Sequence, residues 1–344
     1  MFASLVGLIH QPSIAIRVAK DDSTFDTREY PNLIFLATGK VQGKIRLIHN
    51  KADDSKLGMI STRIWVTKEN DRDEVAVQTS FENRTLTFTL EGPTRFSSFN
   101  IYHETTIQIP SSCGYMGQLR IDAPNSSFSG EAQDDLRWDC VQAKLSGSAI
   151  ALQSLHADSI ILRTSNSGIS GAFDAGHISL ITTNGSIAAK LIVQEPTDGR
   201  QSTVMSETSN ASISLHVDAT PTTNGLWMET TTKNGKVAIG ALLGPSTAGS
   251  YIGSITENGK IDFNLDASQT GQPLDVYNKT SNGSVISSIM APHQQPFKGH
   301  VQSTNGSVTV NLSEEFQGRF MLDTTNGSTS VEGSALQFDQ DQVC

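Results

Sequence analysis

Charge is scarce in this chain. Asp, Glu, Lys and Arg make up 17% of its 344 residues, and what charge there is leans acidic, with a formal net charge of −10. Such a balance provides no polybasic stripe to neutralise phosphates, so nucleic acid is excluded as the main partner, while neutral or cationic partners stay open. Cysteine is almost missing. Cys113, Cys140 and Cys344 cannot all pair within one chain and form no Cys-x-x-Cys, so neither a disulfide framework nor a structural zinc is expected. A Cys113–Cys140 bridge and a set of free thiols are the two readings. No apolar run reaches the roughly 20 residues of a membrane-spanning helix. The first ten residues are apolar but lack a basic flank and a small-x-small cleavage site, so they do not read as a signal peptide. The chain as written reads as soluble: cytoplasmic as it stands, or secreted or at the cell surface if a signal or anchor has been trimmed.

Catalytic patterns are equally thin. The histidines (His10, His49, His103, His156, His177, His216, His293, His300) include no His-x-x-x-His and no His-Glu-x-x-His, and only His293 and His300 are close in sequence, so no metal site is expected. No phosphate loop, dinucleotide fingerprint or Gly-x-Ser-x-Gly elbow occurs, and no cofactor is expected. Glu229, Glu257, Asp262, Asp266 and Asp275 lie near the repeats described next. They read either as a solvated sheet face or, in the enzymatic alternative, as carboxylates of a polysaccharide lyase or hydrolase.

What the chain has instead is repetition. A short phrase centred on asparagine returns at Asn166, Asn184, Asn210, Asn234, Asn258, Asn282, Asn305 and Asn326, with gaps of 18, 26, 24, 24, 24, 23 and 21. Five of the last six are Asn-Gly and all lead into a β-branched strand start, as in Lys233-Asn234-Gly235-Lys236-Val237 and Thr304-Asn305-Gly306-Ser307-Val308. Asparagine and glycine tolerate positive φ and form short turns; the β-branched residue then restarts a strand with alternating faces. No single unit carries enough apolar mass for a core, so the units must stack at a strand separation of about 4.8 Å, with the asparagines free to align as a ladder. Two geometries fit: a parallel β-helix with asparagine corners, or repeated antiparallel hairpins. The near-constant period favours the helix. Asn224-Gly225 falls out of register and reads as an ordinary turn, and residues 194–203 and 240–251 read as lateral loops.

The expected organisation is a tail or cap over residues 1–30, an irregular and more charged β region over 31–110 continuous with the solenoid, the repeats over 111–331, and a tail or cap over 332–344. Asparagines in Asn-x-Ser/Thr are frequent, but most arise from the repeated turn; Asn83 and Asn278 stand outside it. Among the aromatics, 6% of the chain, Phe96, Phe99 and Tyr102 gather before the repeats, and Trp227, Tyr251 and Tyr277 recur about one period apart. The latter three read either as core filling or as a glycan-binding platform on one face.

The succession of alternating strands with Thr/Ser-Asn-Gly-Ser/Lys between them resembles the adhesin-like domains of unknown function in bacterial surface proteins and related fungal proteins. Thr105-Thr106-Ile107-Gln108-Ile109-Pro110 is similar to the proline-ended strand that precedes their repeats, and residues 111–331 are similar to the repeats themselves. The resemblance implies an all-β, right-handed parallel β-helix with an irregular N-terminal β region, and a non-enzymatic structural or surface role, binding glycan or protein through a face or lateral loops. An uncovered end rung would add end-to-end self-association as a further expectation.

Overall fold

The computed structural model describes residues 16–50, 57–67, 74–94, 101–291, 295–313 and 318–333. His10, Phe96, Phe99, His293 and Cys344 therefore lie outside the described residues. The chain divides into two compact units, residues 1–189 and 190–344. The described residues hold strands and turns and no α-helix.

In the first unit the strands are β1 (Ile16–Asp26), β2 (Asn32–Thr38), β3 (Val41–Asn50), β4 (Leu57–Val66), β5 (Ala76–Glu82), β6 (Thr85–Glu91), β7 (Ile101–Pro110), β8 (Tyr115–Asp122), β9 (Ser126–Gly130), β10 (Arg137–Lys144), β11 (Ile150–Arg163), β12 (Ile169–Ala175) and β13 (His177–Ile181). β14 (Ile187–Val193) runs across the division. One parallel ladder joins β6, β2, β8, β10, the second half of β11 and β13; another joins β7, β3, β9, the first half of β11 and β12. The 14-residue β11 thus serves both ladders, with its register breaking between Leu152 and Leu155. At the β6/β7 end the ladders are continued by antiparallel strands, β5 on β6 and β4 on β7, with β1 on β4. A hydrogen bond of 3.2 Å between the Ser23 and Thr79 hydroxyls joins β1 to β5. Antiparallel strands of this kind cover the row of unpaired backbone groups that the last parallel rung would otherwise present.

The second unit is simpler. Its strands are β15 (Ser202–Thr208), β16 (Ile213–Ala219), β17 (Leu226–Thr232), β18 (Val237–Leu243), β19 (Ser250–Thr256), β20 (Ile261–Asp266), β21 (Leu274–Thr280), β22 (Val285–Met290), β23 (Phe297–Ser303), β24 (Val308–Leu312), β25 (Arg319–Thr324) and β26 (Thr329–Glu332). Odd strands pair in parallel with odd, and even with even. Trp227 lies beside Tyr251 and Val237 beside Ile261, which is the 24-residue period turned into register. This is a parallel β-helix with two strands per turn. Strands flanking an asparagine corner pair with the turns above and below rather than with each other, so the hairpin alternative does not hold.

Alternation assembles the core. Leu226, Met228, Thr230 and Thr232 of β17 point inward, as do Val237, Ile239, Ala241 and Leu243 of β18. Each fully buried Leu, Ile or Val contributes about 1.5–3 kcal/mol relative to exposure, and neighbouring turns supply the surface that buries it. The lateral loop expected over 240–251 is shorter than the sequence suggested. β18 continues through Gly240 to Leu243, because alternation keeps Ala241 and Leu243 in the core and leaves the glycine on the outer side.

Candidate functional site

The corners come first, because they set the positions of everything on the faces. In the second unit the Asn234 side-chain amide donates to Oδ1 of Asn210 at 2.8 Å, Asn258 to Asn234 at 2.8 Å, Asn282 to Asn258 at 2.7 Å, Asn305 to Asn282 at 2.7 Å and Asn326 to Asn305 at 2.8 Å. In the first unit Asn184 donates to Asn166 at 2.9 Å. Each interior amide of the column donates through its NH2 to the corner below and accepts through Oδ1 from the corner above, a double role that suits a carboxamide side chain.

Two further parts of the corner escaped the sequence reading. A Thr or Ser stands two residues before every asparagine, at 164, 182, 208, 232, 256, 280, 303 and 324. At 164, 182, 232, 256, 280, 303 and 324 its hydroxyl donates to a carbonyl of the corner below, as Thr256 does to Gly235 at 3.1 Å and Thr280 to Gly259 at 2.9 Å. The corner glycines are also needed for another reason than the one first assigned. Among the described residues, positive φ occurs at Gly39, Gly171, Gly199, Gly225, Asn83 and Arg84, and at none of the eight corners. A Cβ on Gly259 would instead sit 1.9 Å from the Gly235 carbonyl oxygen, and one on Gly283 2.1 Å from that of Gly259. Close stacking of backbone on backbone demands the glycine. Gly225, in the out-of-register pair, does take a left-handed φ of 74°.

The outward side of the odd strands forms a grid. One column runs Thr203, Trp227, Tyr251, Asp275, Lys298, Arg319; the next runs Met205, Glu229, Gly253, Tyr277, His300, Met321. Trp227 and Tyr251 stack with ring centroids 6.1 Å apart and planes at 22°. Tyr277 does not continue that column: it lies one column over, and its ring meets His300 edge-on at 5.2 Å and 78°. All three are partly exposed. Gly253 leaves room for the Tyr251 side chain, whose hydroxyl would be 2.7 Å from a Cβ there. Burial, reinforced by Glu229, Tyr277 and Asp275, raises the Tyr251 pKa above its ordinary value. Burial lowers that of His300, with Lys279 and Lys298 acting in the same direction and Asp323 against it. The face therefore combines flat apolar rings with carboxylates and a neutral imidazole.

The other residues singled out in the sequence are dispersed. Glu257 sits at a corner 3.8 Å from Lys233, while Asp262 lies on the outer side of the even strands, 3.2 Å from Lys236 and 3.7 Å from Lys260. Asp266 accepts from the backbone and hydroxyl of Ser268. Of the five carboxylates, only Glu229 and Asp275 share the aromatic face. Tyr102 is buried. Asn278 is fully buried and donates to Ser287 at 2.9 Å, so it is closed to glycosylation, whereas Asn83 is exposed in a turn. Cys113 and Cys140 are both free, so the bridge between them is not formed. Among the described residues no group of three or more His, Cys, Asp or Glu could hold a metal, and no helix is long and apolar enough to cross a membrane.

Residues 255–337 match the model of a domain of unknown function, DUF7330. Curated proteins give no match. Among solved structures, the chain is similar to a "putative adhesin" from Parabacteroides distasonis ATCC 8503 (10% identity, 92% of this chain and 97% of that one, TM-score 0.34) and to another from Parabacteroides merdae ATCC 43184 (9%, 94% and 98%, 0.33). It is also similar to a "putative lipid binding protein" from Parabacteroides distasonis ATCC 8503 (10%, 92% and 97%, 0.32). The chain thus carries, within its second unit, a stretch matching a family whose function is undefined, and it resembles solved proteins named as adhesins.

Proposed function

We propose that this is a non-enzymatic, adhesin-like binding protein, working at a cell surface or after secretion, and that the outer face of its odd strands takes a glycan. The observation that carries this reading is the Trp227–Tyr251 stack, two broad rings on neighbouring strands, facing outward beside Tyr277. A sugar ring lays its apolar face on such rings, while its hydroxyls need acceptors close by, which Glu229 and Asp275 supply. A polysaccharide-cleaving alternative needs two carboxylates held about 5–9.5 Å apart across one bond. Glu257 and Asp262 face lysines at a corner and on the even side, which favours binding over cleavage.

The test is titration of neutral oligosaccharides followed by tryptophan fluorescence and calorimetry, with W227A, Y251A and the double variant. Each single variant should weaken binding about tenfold or more, equivalent to about 1.4 kcal/mol. Undiminished binding in the double variant would sink this placement, and release of reducing ends on incubation would sink the non-enzymatic reading.

A further inference from the structure

The first unit carries a hollow of about 650 Å³ that is independent of the aromatic face. Its walls come from well-separated parts of the chain: the turn after β1 with Arg28, the start of β2 with Asn32, the β5–β6 turn with Asn83 and Arg84, the start of β8 with Tyr115, and Asp139 of β10.

Three features set it apart. First, Arg28 and Arg84 both line it, and neither has a carboxylate within ion-pair distance among the described residues. The Arg84 guanidinium instead donates weakly to the Arg28 carbonyl at 3.5 Å, and the nearby Asp26 carboxylate accepts from the Arg28 backbone N–H at 2.8 Å. Both arginines line one hollow, and the carboxylate that shares its lining, Asp139, is bonded to Tyr115 rather than to either of them. Second, Asn83 and Arg84 are the only non-glycine described residues at positive φ, 49° and 60°. A two-residue turn of this form takes glycine readily at its second position, and an arginine there costs about 1 kcal/mol or more of backbone strain. The turn is held in place by Asn32, whose backbone and side-chain N–H groups both donate to the Arg84 carbonyl, at 3.4 and 3.3 Å. Third, the rest of the lining includes groups of another kind: Tyr115 is 56% exposed, and its hydroxyl donates to the Asp139 carboxylate.

We infer that this hollow binds an acidic sugar unit, its carboxylate or sulfate taken by Arg28 and Arg84 and its ring laid against Tyr115. Guanidinium forks match the planar carboxylate and the sulfate ester alike. Tyr115 offers an apolar face and Asp139 an acceptor for sugar hydroxyls, which a bare inorganic anion would not use. The volume suits one or two sugar rings.

The experiment is calorimetry on the full chain with a heparin-derived sulfated disaccharide, a galacturonate disaccharide, neutral cellobiose and inorganic sulfate. Wild type should bind one or both acidic disaccharides, weakening as salt is raised, with any cellobiose binding unchanged in the Arg28→Gln/Arg84→Gly double variant and sulfate binding at least about tenfold more weakly. Arg84→Gly removes the guanidinium and also relieves the left-handed strain, so it should lose about tenfold or more in affinity while its Tm stays level or rises. Arg28→Gln should lose a similar factor, Tyr115→Ala should reduce the disaccharide to the level of sulfate, and Arg200→Gln, at an arginine that does not line the hollow, should change nothing. No binding by wild type, or equal binding by the Arg28→Gln/Arg84→Gly double variant, overturns the site. Sulfate binding as tightly as the disaccharide overturns the sugar assignment. Because the hollow and the aromatic face share no residue, failure here leaves the aromatic face unaffected, and the reverse holds too.

Discussion

The side-chain amide of Asn282 donates to Oδ1 of Asn258 at 2.7 Å, and Asn258 in turn donates to Asn234 at 2.8 Å. Each interior member of this column makes two such bonds, while Asn326, at its described end, donates only downward to Asn305. Asn258→Ala should therefore lower unfolding free energy by about 1–2 kcal/mol, and Asn326→Ala by about half as much, since an exposed neutral hydrogen bond nets about 0.5–1.5 kcal/mol. Denaturant titration of the two variants checks this; equal losses would mean the ladder is not the source.

Gly259→Ala forces a methyl to 1.9 Å from the Gly235 carbonyl oxygen, with backbone on both sides of the contact. A loss of about 2–3 kcal/mol is expected, at the upper end of overpacking. Gly271, where an added Cβ meets nothing within 4 Å, is the control and should tolerate alanine at little cost. Thermal melts of both settle whether the corner or glycine substitution in general is responsible.

Thr230 and Thr232 sit two apart on β17, both buried, yet their hydroxyls differ. Thr232 donates to the Ala211 carbonyl at 2.9 Å, while the Thr230 hydroxyl has no partner, a condition shared by Ser206 and Ser254 in the same column. Replacing each by valine should have opposite signs: Thr230→Val raises stability by about 1 kcal/mol and Thr232→Val lowers it by about the same. Two losses of equal size would show that the Thr230 hydroxyl has a partner after all.

Two histidines of the first unit should act on stability in opposite pH windows. His103 is fully buried, its ring nitrogens 3.0 Å from the Thr105 hydroxyl and 2.8 Å from that of Ser126, and desolvation pushes its pKa down to about 3. Between pH 6.5 and about 3 the unfolded chain binds a proton that the folded one does not, so stability falls with falling pH, by up to about 1.4 kcal/mol per unit. His156 lies 3.0 Å from Asp174 and 3.9 Å from Asp134, and the Asp174 hydrogen bond is the main cause raising its pKa. Its contribution is complete below the unfolded value near 6.5 and is lost as pH rises through the folded one. Unfolding curves across pH for His156→Gln should lose only that high-pH decline. An unchanged profile would show the pair to be energetically silent.

Much of this molecule was legible from residue order because its decisive signals are local. A repeat near 24 residues, with β-branched residues alternating after each Asn corner, leaves stacking as the only way for Val237 or Ile261 to bury its side chain, and the parallel register follows from the near-constant spacing. Tertiary structure decided whatever depends on the neighbouring turn or on distant chain. Glycine at a corner is required by the carbonyl beneath it rather than by its own φ. The 26-residue step from Tyr251 to Tyr277 places the third ring one column over, because two extra residues in a strand shift the outward position by one pleat. Arg28 and Arg84, 56 residues apart, meet only because antiparallel strands close the end of the first unit, and no periodicity in the sequence encodes that closure.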